Sequence, residues 1–123
     1  MTKTILLVED EEIQNENLRE TFERKGYTVF AYTKGKECLH DVETNSLKYD
    51  LAIIDLSLPD IGGDELINRL KGIYPKIPIF SSSGYDDKPR KADRHYHKSM
   101  SFEKFIKESD FFLSDEFDFG DAF

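Results

Sequence analysis

The chain has 123 residues, with 25 acidic against 17 basic side chains, a formal net charge of −8, 38% hydrophobic and 34% charged residues. That length suits one compact domain, and the acidic balance argues against a nucleic-acid binder or an anionic-membrane anchor, both of which need a basic face. No apolar run approaches a membrane span, the start "MTKTILLVED" turns acidic too early for a signal peptide, and the single Cys38 leaves no internal disulfide framework. A cytoplasmic protein is expected.

In chain order, residues 4–8 (TILLV) form a short apolar run that stops at the acids of "EDEE", the pattern of a fully buried strand. Residues 12–25 read as a helix with Ile13, Leu18 and Phe22 on one side and Gly26 as its stop. Residues 27–33 (YTVFAYT), β-branched and aromatic, suit a second strand. Cys38, Leu39 and Val42 give helical spacing, residues 51–56 a third strand, and Leu66, Ile67, Leu70 and Ile73 a third helix. Residues 77–83 (IPIFSSS) and 95–98 are the fourth and fifth strands, and Phe102, Phe105 and Ile106 open a last helix. Strands apolar on both faces, alternating with helices, imply a parallel sheet covered on each side.

Right-handed crossovers place the C-terminal ends of such strands on one edge, where doubly wound sheets bind ligands. Four strands end there in polar groups: Glu9 and Asp10, Asp55, Ser82 and Ser83, and Lys98. The apolar run "LAIID" delivers Asp55 to that edge, and a buried acid needs a cation beside it. Glu9, Asp10 and Asp55, with the Ser57 carbonyl as a further candidate, form an oxygen set of the kind Mg²⁺ accepts. A carboxylate can attack phosphorus and give an aspartyl phosphate. Transfer then needs mainly positioning and charge stabilisation, which Lys98 and the Ser83 hydroxyl can supply.

The segments "ILLVEDEE", "DLAIIDLSLPDIGGDEL", Ser83-Gly84 and Lys98, in this order and spacing, resemble the receiver domain of two-component response regulators across residues 3–109. The resemblance implies an α/β, flavodoxin-like, doubly wound five-stranded parallel sheet in the order 2-1-3-4-5. It implies Asp55 as phosphoacceptor, Asp10 and Glu9 as metal carboxylates with Mg²⁺, Ser83 as switch hydroxyl and Lys98 as the conserved lysine. It implies a sensor histidine kinase or histidine phosphotransfer protein as donor; a downstream protein target is a further candidate partner, and the acidic charge speaks against nucleic acid and membrane as partners. The reading is a stand-alone receiver over 1–109, followed by an acidic, Phe-rich tail over 110–123.

Departures from that pattern are specific. Glu9 replaces an aspartate, Ser99 follows the lysine where proline is usual, and His95 occupies the aromatic position three before it. A cis peptide at Ser99 is not expected, since a non-proline cis bond costs roughly 3 kcal/mol. Between the fourth and fifth strands only "GYDDKPRKADR" is available, with Pro89 inside and Tyr85 and Ala92 as its apolar side chains, so the fourth helix is expected to be missing or reduced to a turn. A Gly-Tyr pair after the switch hydroxyl, here Gly84-Tyr85, marks a subfamily with the same lack.

Plainer readings remain beside these. The acids 9–12 suit a helix N-terminus, Lys98 a surface lysine, and Ser81, Ser82 and Ser83 a polar strand exit. His95 and His97 share a strand face without a third soft ligand, His40 reads as a surface residue, and Cys38 as packing. The tail carries five acids and five of the ten Phe residues, which suits a disordered terminus or a cover for apolar surface. Two rival functions are a Mg²⁺-dependent phosphohydrolase, which would want an acid where Ser57 stands, and a degenerate receiver that binds partners without phosphorylation.

Overall fold

The computed structural model describes residues 2–114. Strands β1 (Thr4–Val8), β2 (Thr28–Tyr32), β3 (Leu51–Asp55), β4 (Ile79–Ser83) and β5 (Arg94–His97) form one parallel sheet in the order β2-β1-β3-β4-β5. Helices α1 (Glu12–Arg24), α2 (Gly35–Asn45), α3 (Gly63–Ile73) and α4 (Phe102–Leu113) cover its two faces. This is the flavodoxin-like architecture and strand order expected.

Strand alternation sorts the core into two layers. Leu6, Val8, Ala52, Ile54 and Ile79 pack with Cys38, Val42, Leu66 and Leu70 of α2 and α3. Ile5, Leu7, Leu51, Ile53 and Phe80 pack with Leu18 and Phe22 of α1 and Ile106 and Phe112 of α4. Cys38 is buried, and burial pushes its thiol up to about 12, so it serves as packing.

Helix α1 corrects one expectation. Ile13, read as core, is 73% exposed, and Asn15 is buried in its place. Asn15 lies three residues before Leu18 and so shares its face, whereas Ile13, five before, does not. The Asn15 amide donates to the Glu9 carbonyl at 3.0 Å and the Tyr32 carbonyl at 2.9 Å, tying the helix to the ends of two strands.

No helix intervenes between β4 and β5, as expected; the crossover holds a turn at residues 90–91. Asp93 does the anchoring. One carboxylate oxygen accepts from the Ile79 N–H at 2.7 Å and from Lys71 Nζ at 2.8 Å, and Lys71 also donates to the Ile77 carbonyl at 2.8 Å. Ala92 sinks into the layer of α2 and α3.

The boundary drawn at 109/110 falls inside α4. Asp110 accepts from the Tyr27 hydroxyl, and Phe112 and Leu113 are buried, with the Phe112 ring edge-on to Phe80 at 4.8 Å. Helical spacing carries these side chains onto the same face as Ile106, so they belong to the domain core. Residues 115–123, with the rest of the acidic Phe-rich tail, lie outside the described residues.

Candidate functional site

The strand ends converge as the alternation predicts. One carboxylate oxygen from each of Glu9, Asp10 and Asp55 lies within 4.8 Å of the others. Glu9 and Asp55 are buried, 4% and 1% exposed, while Asp10 is exposed. Lys98 Nζ donates to Asp55 Oδ2 at 3.0 Å and stands 3.6 Å from Glu9 Oε1. Asp55 Oδ1 accepts from the Ser57 N–H at 2.9 Å, and Glu9 Oε2 from the Glu11 N–H at 3.1 Å. The acid that closed the apolar run is thus held by an ammonium and a main-chain donor.

Three acids facing one ammonium leave excess negative charge, and the carboxyls register it. Burial and the neighbouring Asp55 push Glu9 up to about 8. Asp55 and then burial raise Asp10 as well. Burial works against the Asp55 charge too, but bonds from Glu9, the Ser57 N–H, Asp10 and Lys98 outweigh it and hold Asp55 below the ordinary value. Burial also opposes the charge on Lys98, and the three acids overcome it and raise that group. Asp55 therefore ionises first, and the cost of a second negative charge falls on Glu9.

This donor set fits a hard divalent cation: oxygen ligands only, an unbalanced charge, and one exposed carboxylate on the solvent side. A cavity of about 370 Å³ opens beside it, lined by the polar Glu9, Asp55, Ser82 and Lys98 and by the apolar Leu18, Met100 and Phe105. The Ser83 hydroxyl is engaged with the loop that follows it. The residue is 5% exposed, and its hydroxyl is bound to the main chain of Tyr85 at 3.0 Å. Among the described residues His95 and His97 belong to no cluster of three metal-ligating side chains. His40 lies on the surface, its side chain 71% exposed.

Sequence reasoning missed Asp60. Its two oxygens accept from the N–H groups of Gly35 and Lys36 at 3.0 and 2.9 Å, so the loop after Asp55 caps helix α2. Burial opposes its charge, but the N–H groups of Lys36 and Gly35 together prevail and hold its carboxyl below the ordinary value. Lys34, the residue preceding α2, makes no side-chain cap, which was the available signal. Gly35 is equally constrained: a Cβ there would stand 2.3 Å from Ile61 and 3.0 Å from Leu58.

A parallel α/β sheet with an acid triad and a lysine at its carboxyl edge defines a receiver module. Residues 5–107 match the response regulator receiver domain family, and the chain belongs to it. It is 35% identical over 86 residues to the transcriptional regulatory protein CssR of Bacillus subtilis, a match covering 70% of this chain and 37% of that protein. It is 30% identical over 87 residues to the sporulation initiation phosphotransferase F of Bacillus subtilis, covering 71% of this chain and 68% of that protein. Among solved structures it resembles the response regulator TrrA from Thermotoga maritima in complex with Mg²⁺-BeF, with 28% identity and a TM-score of 0.79, covering 91% of this chain and 100% of that one. TrrA has also been solved in complex with the histidine kinase ThkA, where the TM-score is 0.77 and coverage is 92% and 100%. No helix among the described residues is long and apolar enough to cross a membrane.

Proposed function

We propose that this chain takes a phosphoryl group onto Asp55 from a histidine kinase or histidine phosphotransfer protein, in two-component signalling in the cytoplasm, and passes the signal to a protein target. The observation that carries this is the buried Asp55 carboxylate, held by Lys98 at 3.0 Å within a cluster of three acids. The TrrA complexes with a histidine kinase and with Mg²⁺-BeF support the donor class and the cation.

Glu9, Asp10, Asp55 and the Ser57 carbonyl would hold Mg²⁺, which offsets the charge of an incoming phosphoryl group when bound. The Ser57 N–H orients Asp55 through Oδ1, fixing which oxygen attacks. A carboxylate oxygen of Asp55 forms the bond to phosphorus as the donor's phosphorus–nitrogen bond breaks, and the histidine leaves as the neutral imidazole after protonation. Lys98 then pairs with a phosphoryl oxygen, and Ser83 donates to another once its bonds to Tyr85 open. The chain acts as phosphoacceptor, with self-dephosphorylation at most, since Ser57 stands where a phosphohydrolase places its general acid.

Incubation with acetyl phosphate and Mg²⁺, followed by intact-mass measurement, tests this. One added phosphoryl group, labile to base and absent from Asp55→Asn, is expected. No gain under conditions that label an ordinary receiver would overturn the proposal in favour of a module that binds partners without phosphorylation.

A further inference from the structure

The crossover from β4 to β5 lacks a helix, yet its first residues are held by a closed set of hydrogen bonds. His95 of β5 lies opposite Ser81 of β4 in the sheet register. Its Nδ1 is 2.7 Å from Ser81 Oγ, and its Nε2 is 2.7 Å from the Tyr85 carbonyl oxygen. A carbonyl only accepts, so Nε2 carries the proton, and in the neutral ring Nδ1 accepts from the Ser81 hydroxyl. Ser81 is 1% exposed, so the imidazole is oriented by a buried donor. The Ser83 hydroxyl donates to the Tyr85 carbonyl and accepts from the Tyr85 N–H, and lies 3.3 Å from His95 Nε2. Only the main chain of Tyr85 is held; the residue is 78% exposed.

We propose that Ser81 and His95 form a latch, with His95 as a positioning residue that clamps the Tyr85 carbonyl and thereby keeps the Ser83 hydroxyl engaged with the loop instead of Asp55. This inference rests on the phosphoacceptor reading and adds a specific restraint to it. Ser83 has its donor and an acceptor site committed to Tyr85, so it reaches a phosphoryl group only when the 83–85 turn opens. Opening the turn means withdrawing the Tyr85 carbonyl from His95. The strand-borne imidazole does the holding that a covering helix would otherwise contribute, and it sets how readily the charged site recruits Ser83.

The test uses the full chain carrying Tyr85→Trp, which gives a sole tryptophan in the latched turn. Beryllofluoride with Mg²⁺, a stable stand-in for the phosphoryl group, is titrated and followed by emission. His95→Leu, which keeps bulk and removes both hydrogen bonds, should bind it about fivefold more tightly, the effect of one lost net hydrogen bond in the free state. His95→Gln should stay within about twofold of the parent, because its amide can donate to Tyr85 and accept from Ser81. Ser81→Ala, which frees the imidazole to turn, should fall between the two. Equal affinity in the parent and His95→Leu, or weaker binding in the variant, overturns the latch. If His95→Leu fails to fold, equal affinity in Ser81→Ala and His95→Gln overturns it instead. A parent chain with no beryllofluoride response overturns the phosphoacceptor reading itself, a result distinct from a parent that responds and variants that match it.

Discussion

At about pH 9, replacing Asp55 with Asn should stabilise the metal-free chain while abolishing its proposed function. The site oxygens of Glu9, Asp10 and Asp55 lie within 4.8 Å of one another. Unit charges at that separation repel by about 3.5 kcal/mol at an effective dielectric constant of about 20. Lys98, 3.0 Å from Asp55, returns about 5.5 kcal/mol on the same scale. Once Glu9 is ionised, above about pH 8, two repulsions against one attraction favour loss of the Asp55 charge, and solvent around the exposed Asp10 trims the difference to about 1 kcal/mol. Asparagine still accepts from Lys98 and from the Ser57 N–H. At about pH 9 the melting temperature should rise by roughly 3 to 6 °C.

The pH dependence follows from Glu9, an acid raised from 4.5 to about 8 by burial and by Asp55. Between those values the native chain keeps a proton that the unfolded chain releases, so this group's contribution to stability falls as pH rises through the window. At about pH 9 both acids are ionised and the substitution relieves the full repulsion; near about pH 6 Glu9 is protonated, Lys98 outweighs the one remaining repulsion, and the gain is lost. Thermal unfolding with a chelator at the two pH values measures this. A lower melting temperature for Asp55→Asn at the higher pH, or a larger gain at the lower one, would refute the electrostatic account. Added Mg²⁺ should favour the parent chain, because it binds the native state through Asp55.

Three further outcomes are expected. Mg²⁺ binding should tighten as pH rises from about 4.5 to about 8 and release a proton from Glu9; calorimetry in buffers of different ionisation enthalpy should show a buffer-dependent heat. Asp93→Ala strands Lys71, whose side chain is 13% exposed, and removes the acceptor of the Ile79 N–H. It should cost about 3 kcal/mol by urea unfolding, with Asp93→Asn milder. Gly35→Ala should cost about 1 to 3 kcal/mol, because the added Cβ displaces Ile61 and Leu58. It should also slow acetyl phosphate labelling, whereas unchanged labelling would separate the loop's packing from the acid site.

Asp55, Glu9 and Asp10 were legible in the amino-acid sequence because each follows or ends a short apolar run, and Lys98 because it follows the fifth strand. In a parallel sheet, that position dictates a common edge before any contact is known. The missing crossover helix was equally legible, since Pro89 and two apolar side chains cannot make a covering helix. Local pattern is enough for such features, because backbone geometry alone converts spacing into placement.

Other features depend on contacts that spacing does not encode. Helical spacing puts position 15 on the buried face, but the two strand-end carbonyls that accept from the Asn15 amide, and so suit a polar side chain there, are set by the fold. Asp60 caps a helix 25 residues earlier, Asp93 meets Lys71 22 residues away, and Tyr27 reaches Asp110 across 83. Phe112 meets Phe80 in the core, and the Ser83 hydroxyl and His95 meet at the Tyr85 carbonyl. A polar group takes its direction from whichever partner the folded chain brings within about 3 Å. Only the assembled sheet and its helices decide which partner that is.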